Sequence, residues 1–340
     1  MSEREKAIEA NELVRDFGKT RAVDGVSFDV AAGEVFGFLG PNGAGKTTTV
    51  RMLTTLLEPT SGRVVIGGFD VRRQPYSARR LIGLVPEESN IYTELSAWDN
   101  LMFSARLYRV PGQMRRERAN ELLDTFGLLE KRDVKAQLYS KGLRRRLSIA
   151  MALIHEPAIL FLDEPTSGLD VQSAIAIKRI VRDLNGRGTT VFLTTHQIEE
   201  ANQLCDRVAI INRGRLAAVD SPERLKQTLE SVQAVEVAFS ASGPRLEGIL
   251  RTFPGVTDVT KHGDKWRLYT SDPPALLPLL FDFAAQSNAR ILSLNTLGPS
   301  LEDVFLRLTG QTVGALRPPG GDDLSGPGQG GRGKGGGRGV

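Results

Sequence analysis

Between residues 8 and 219, short apolar runs rich in Val, Ile and Phe alternate with stretches whose apolar residues recur at helical spacing. That order predicts an α/β domain with a mainly parallel sheet covered by helices. Strands are predicted at 26–30, 34–39, 63–66, 82–85, 159–163, 190–194 and 207–211. The run Ile159-Leu-Phe-Leu162 is apolar without alternation, as befits a strand buried on both faces. From 96 to 157 strands stop, and the spacing predicts consecutive helices over 96–108, 114–126 and 141–155. A helical subdomain at about 88–157 therefore interrupts a sheet domain spanning 1–226. After residue 227 the pattern changes to strands at 234–239, 266–270 and 290–294, with helices at 246–252 and 274–287, predicting a small separate α+β domain over 230–310. Residues 311–340 are dominated by Gly and Pro and predict a disordered tail, because they cannot bury enough apolar surface to offset the entropy of ordering.

Composition narrows the class without choosing a function. Among 340 residues 40% are hydrophobic and 25% charged, an ordinary globular balance. The best candidate for a membrane span, 275–285, is short and broken by Pro278 and Asp282, which predicts a chain that does not cross a bilayer. The start, MSEREKAIEA, lacks the basic-then-apolar order of a signal peptide, and the single Cys205 forms no internal disulfide, so a cytoplasmic protein is expected. A net charge of +4 is too small to select nucleic acid or an anionic membrane as partner. Arg332, Lys334 and Arg338 among the tail glycines resemble RNA-binding Gly-Arg segments, but so few charges favour a solvated tail, and no nucleic-acid partner is expected.

The candidate chemistry begins at Gly40-Pro-Asn-Gly-Ala-Gly-Lys46-Thr47, which matches G-x-x-x-x-G-K-[ST] between a predicted strand and a helix running to about residue 57. Gly40, Gly43 and Gly45 let successive backbone N–H groups point inward at a phosphate. Lys46 reaches the β- and γ-phosphates, and the Thr47 hydroxyl suits Mg²⁺. The apolar run 159–162 ends in Asp163-Glu164, two carboxylates at a strand end that need a cation or a proton to hold. Asp163 suits metal orientation through water, and Glu164 suits a general base or water positioner for attack on the γ-phosphate. His196 follows the run 190–194 at the same carboxyl edge, within reach of the γ-phosphate.

Together these residues resemble ATP-binding-cassette nucleotide-binding subunits, a P-loop NTPase fold, over about 8–225, with six motifs in the family's order. The resemblance implies ATP and Mg²⁺ as ligands, with Pro41, Asn42, Ala44 and Thr48 completing the cradle, Phe17 stacking on adenine and His196 as the switch histidine. It implies that Leu138-Tyr-Ser-Lys-Gly142 is the signature motif, that Ser167-Gly-Leu-Asp170 contacts a dimer partner, and that Ser140 and Gly142 close over nucleotide held by a second subunit. Ser140 has N-cap chemistry, and the helix after it places Leu143, Leu147, Ala150, Met151 and Ile154 on one buried face. Arg144-Arg-Arg146 reads as a solvated or packed face. Two positions depart from the family: Lys141 stands where the signature has Gly, and Glu87, in Leu84-Val-Pro-Glu87, stands where a metal-ligating Gln is usual. Glu87 keeps an oxygen ligand and adds a negative charge; Lys141 opposes the helix dipole unless an anion lies nearby.

Within the family, the run Ile198-Glu-Glu-Ala-Asn-Gln-Leu-Cys-Asp206, the small C-terminal domain and its ending Leu301-Glu-Asp-Val-Phe305 look like the daunorubicin- and multidrug-resistance subgroup. That implies an ATPase powering export of a drug, lipid or other hydrophobic substrate, working as a homodimer with a separate transmembrane permease, peripheral on the inner face of the cell membrane. A soluble cassette ATPase of translation or DNA repair would use the same motifs, but such proteins usually carry two cassettes or long heptad insertions, and this chain has one cassette and no sustained heptads. An importer ATPase usually brings a larger C-terminal domain.

Overall fold

The computed structural model describes residues 5–88, 90–228, 233–240 and 246–310. The tail expected at 311–340 lies outside the described residues. The chain opens with β1 (Lys6–Phe17), β2 (Thr20–Ala31), β3 (Val35–Leu39), α1 (Lys46–Leu53), β4 (Ser61–Ile66), β5 (Phe69–Asp70), α2 (Pro75–Arg80) and β6 (Ile82–Val85). Three helices follow, α3 (Ala97–Leu107), α4 (Gly112–Thr125) and α5 (Lys141–Leu153). Then come β7 (Ile159–Asp163), α6 (Val171–Gly186), β8 (Thr190–Thr195), α7 (Ile198–Leu204), β9 (Arg207–Asn212), β10 (Arg215–Asp220) and α8 (Pro222–Gln227). The C-terminal part is β11 (Gln233–Phe239), α9 (Leu246–Leu250), β12 (Val256–His262), β13 (Lys265–Thr270), α10 (Pro273–Gln286), β14 (Ile291–Leu297) and α11 (Leu301–Thr309).

The central sheet has the order β10-β9-β3-β8-β7-β6, parallel except for the antiparallel edge strand β10. Its inner strands are buried on both faces, with period-two division of labour. Phe36 and Phe38 of β3, Phe161 of β7 and Phe192 of β8 point to one face; Leu39, Leu160, Leu162, Val191 and Leu193 point to the other. The Phe face is covered by a second sheet, order β2-β1-β4-β5, whose Phe28 stacks on Phe36 with centroids 5.3 Å apart. The opposite face carries the helices.

This second sheet departs from the sequence expectation. The predicted strands 26–30 and 63–66 belong to it, not to the parallel sheet. Its middle strand β1 was not expected at all, because Glu9, Asn11, Glu12, Arg15 and Asp16 interrupt the apolar positions. A register shift between Ala10 and Leu13, with Glu12 at φ 48°, breaks the alternation while leaving Ile8, Ala10 and Leu13 buried. The predicted helices and the C-terminal strands are present with ends moved by a few residues, and β10 and β12 add to them.

The C-terminal sheet, order β12-β13-β11-β14, is antiparallel and packs α9 and α10 around its own core. Helix α11 leaves that unit and packs back on the helical side of the central sheet. Ser300 and Asp303 form a capping box at its start, and Leu301, Val304 and Phe305 join the helical-side core. Asn212 Nδ2 donates to Thr309 O at 3.2 Å from the end of β9. A second tie fixes the turn after β7: Thr166 Oγ1 donates to Glu200 Oε1 on α7 at 2.8 Å, deep in the core. Glu200 is 1% exposed and its Oε2 has no partner among the described residues.

Both ties are testable. Phe305→Ala removes a side chain only 2% exposed and is expected to cost about 3 kcal/mol or more, read as a lower urea midpoint at unchanged m. Burial pushes the Glu200 carboxyl above its ordinary value of 4.5. The folded chain then keeps a proton the unfolded chain has released, so stability is fully present below pH 4.5 and declines as pH rises through the raised folded value. Glu200→Gln keeps an acceptor for Thr166 and is expected to flatten that decline in urea midpoints measured between about pH 4 and 8. Parallel pH curves for variant and wild type would count against it.

Candidate functional site

All five residues of β3 are buried, so the chain leaves the sheet edge at a fixed point and turns through residues 40–45 into α1. Gly45, the N-cap of α1, has φ 108°, and a Cβ there would lie 2.7 Å from Ala22 O. A Cβ on Gly40 would collide with Ile211 O. Glycine at these two positions therefore lets the turn pack directly against the main chain at Ala22 and Ile211, which fixes its path into α1. Lys46, 6% exposed, folds back over it: Nζ donates to Gly40 O at 2.7 Å and Pro41 O at 3.2 Å.

Facing the turn is the end of β7. Asp163 is buried and its Oδ1 accepts the Thr194 hydroxyl of β8. Glu164 sits in the left-handed region at φ 47°, held there by its own N–H, which donates to Thr194 O at 3.2 Å and Oγ1 at 3.0 Å. Its carboxylate is 6% exposed and divided: Oε1 lies 3.1 Å from Lys46 Nζ without hydrogen-bond alignment, and Oε2 lies 2.8 Å from His196 Nδ1. Three ionisable groups from the ends of β3, β7 and β8 thus converge.

They open onto a cavity of about 400 Å³ lined also by Ala22, Asn42, Gly43, Gly45, Thr47, Thr48, Glu87 and Ser167. Of the residues named from sequence, Asn42, Gly43, Gly45, Lys46, Thr47, Thr48, Glu87, Glu164 and His196 are gathered here. Gly40, Pro41, Ala44 and Asp163 lie behind the lining, Phe17 stands exposed at the end of β1 with the Arg15 guanidinium 4.7 Å from its ring, and Ser140 and Gly142 are elsewhere. Ser140 caps α5 by accepting from Leu143 N at 3.3 Å. The Thr47 hydroxyl and the carboxylates of Glu87 and Asp163 offer hard oxygen donors, though no group of three or more acidic, His or Cys side chains forms a metal cage among the described residues. That sparse oxygen set suits Mg²⁺, which keeps waters and substrate phosphates as its remaining ligands.

Two side chains of α5 take positions that the sequence did not specify. Lys141 lies along its own chain's 167–170 loop, its Nζ where a Cβ on Gly168 would be. It lines a second cavity of about 340 Å³ with Glu87, Arg144, Arg145, Pro165, Ser167 and Leu169, so Glu87 and Ser167 border both cavities. Arg145 is 7% exposed, neither solvated nor merely packed. It donates to five main-chain carbonyls, those of Pro86, Glu87, Asp163, Glu164 and Pro165. Burial pulls its pKa down while the carboxylates of Asp163, Glu87, Glu200 and Glu164 oppose that shift. Arg145 stands three residues from Gly142 and three from Ser148, both buried, and so lies on the inward side of α5.

With this geometry in hand, comparison with known proteins is specific. The ABC transporter family profile matches residues 23–167. The daunorubicin/doxorubicin resistance ATP-binding protein DrrA of Streptomyces peucetius is 41% identical over 308 residues, covering 90% of this chain and 93% of that protein. The linearmycin resistance ATP-binding protein LnrL of Bacillus subtilis (strain 168) is 36% identical over 308 residues, covering 90% and 99%. Among solved structures, the dimeric ATP-binding cassette MJ0796 in a post-hydrolysis state bound to ADP and Pi matches with a TM-score of 0.57 and 28% identity, covering 63% of this chain and 98% of that one. This chain belongs to the ATP-binding-cassette transporter family, as one of its ATP-binding proteins.

Proposed function

We propose that the chain is the ATP-hydrolysing subunit of an exporter that moves a drug, lipid or similar hydrophobic compound through a separate membrane subunit. The convergence of Lys46, Glu164 and His196 at the mouth of the phosphate cradle carries the catalytic part of this reading. The resistance functions in the names of DrrA and LnrL support the export part. No helix among the described residues is long and apolar enough to cross a membrane.

In this reading the backbone N–H groups of the 40–45 turn and the start of α1 bind the β- and γ-phosphates. Lys46 leaves Gly40 O, Pro41 O and Glu164 for the phosphate oxygens, which are stronger acceptors. Glu164, released from the lysine, accepts the proton of the attacking water, and His196 holds its other oxygen. Mg²⁺, held by Thr47 with Asp163 and Glu87 as further oxygen donors, would neutralise charge on the transferring phosphoryl group. Phe17, exposed at the end of β1, supplies a face for adenine. Ser140 and Gly142 lie outside the cavity of their own chain, consistent with a homodimer in which each α5 N-terminus meets the nucleotide of the other copy. The permease would hold this dimer at the cytoplasmic face of the membrane.

Glu164→Gln is expected to retain ATP binding and lose turnover by about 100-fold or more, whereas Lys46→Ala is expected to weaken binding itself. Steady-state phosphate release and equilibrium nucleotide binding separate the two; turnover near wild type in Glu164→Gln would remove the base from Glu164. For the assembly, the tagged chain is expected to copurify with an integral membrane protein from detergent-solubilised membranes. Recovery with ribosomes or DNA in its place would move the chain to the soluble cassette ATPases.

A further inference from the structure

A guanidinium carries five N–H groups in one rigid plane, and all five of Arg145 are used on main-chain carbonyls. Nε donates to Pro165 O at 3.0 Å; Nη2 donates to Asp163 O and to Glu164 O, the latter at 2.8 Å. Nη1 donates to Pro86 O and to Glu87 O, the latter at 3.4 Å. The first three acceptors belong to the turn after β7 and the last two to the turn after β6. One side chain of α5 therefore ties together the segment that carries Glu164 and the segment that carries Glu87, and both of those residues line the nucleotide cavity.

The tie has a direction. Glu164 holds a left-handed backbone conformation that a non-glycine residue adopts only when its surroundings enforce it. Thr194 fixes its N–H and Arg145 fixes its carbonyl, so the peptide planes on both sides of Glu164 are held and its carboxylate is aimed at Lys46 and His196. Arg145 makes no ion pair within 4.0 Å of a carboxylate among the described residues; what it holds is main chain. Its own backbone is in α5, four residues from Lys141, where the helix begins behind its Ser140 cap.

We propose that Arg145 is a positioning residue that makes the aim of Glu164 and Glu87 depend on the placement of α5, so that hydrolysis is conditional on where the N-terminus of that helix sits. A shift of α5 against the sheet moves the guanidinium, and with it both turns at once. This inference rests on Glu164 acting as the base.

The experiment compares Arg145→Lys and Arg145→Gln in the full chain, beside Glu164→Gln, by thermal melting, binding of a fluorescent ATP analogue and steady-state turnover. Arg145→Gln is expected to bind nucleotide within about threefold of wild type while kcat falls by about tenfold or more. Arg145→Lys, which keeps the charge but has three donors and no planar fork, is expected to recover part of that rate. A folded Arg145→Gln chain with kcat within about threefold of wild type, or a loss confined to KM, overturns the proposal. Undiminished turnover in Glu164→Gln overturns instead the reading of the base. Should neither arginine variant fold, hydrogen exchange in the wild-type chain decides: peptides covering 84–88 and 163–167 are expected to gain protection on ATP addition together with 140–147, and independent responses overturn the coupling.

Discussion

The ion pair between Lys46 and Glu164 is the contact around which the two halves of the site are arranged. Both side chains are 6% exposed and their charged atoms are 3.1 Å apart. Removing two charges from water costs several kcal/mol each, and mutual attraction offsets this only when further hydrogen bonds complete both partners. Lys46 has such bonds, to Gly40 O and Pro41 O. Glu164 has fewer: His196 serves one oxygen, and the other has proximity to the lysine without an aligned hydrogen bond. The arrangement is therefore a pair whose anionic side is incompletely satisfied.

Strand order explains why the pair can form. With β8 between β3 and β7, the cradle and the acidic pair stand two strand spacings apart, about 9.6 Å, a gap that one long lysine and one glutamate span together. The strand in the middle contributes Thr194, which holds both Asp163 and the backbone of Glu164, and leads directly into His196. Lys46, Glu164 and His196 thus follow the carboxyl ends of three adjacent parallel strands, where open α/β sheets bind their ligands.

What was legible in the sequence follows from how local each signal is. The cradle needs glycines at fixed spacing after a buried strand, and the carboxylates need only to terminate another such strand; both are readable from a few consecutive residues. The antiparallel sheet was not, because β1 keeps its inward residues on one side only through a bulge that no simple period describes. Arg145 escaped for a different reason. Its neighbours Arg144 and Arg146 are charged as well, and nothing in a run of three arginines says which one turns inward to carbonyls 18 to 59 residues away in sequence. Lys141 was legible only as a departure from the family's glycine, because its contact with Gly168 is made to a loop 27 residues further along the chain.

The two faces of the parallel sheet are unlike in kind, and that difference bears on how motion reaches the site. On the antiparallel-sheet side, stacked and tilted rings of Phe28, Phe36, Phe38, Phe161 and Phe192 make close-packed, non-directional contacts. On the helical side the core is threaded by buried polar groups: Asn100 bonded to main chain at Tyr92 and Ser96, Glu200 bonded to Thr166, and Arg145 bonded to both site turns. Directional hydrogen bonds in a low-dielectric interior weaken steeply with misalignment, and an unpartnered buried polar group is costly. The phenylalanine side thus acts as a frame that holds the strand ends in place. The helical side is the one where a small displacement must either carry the site turns with it or break bonds, and α11, docked on that same core beside α7, brings the C-terminal sheet to that side of the cassette.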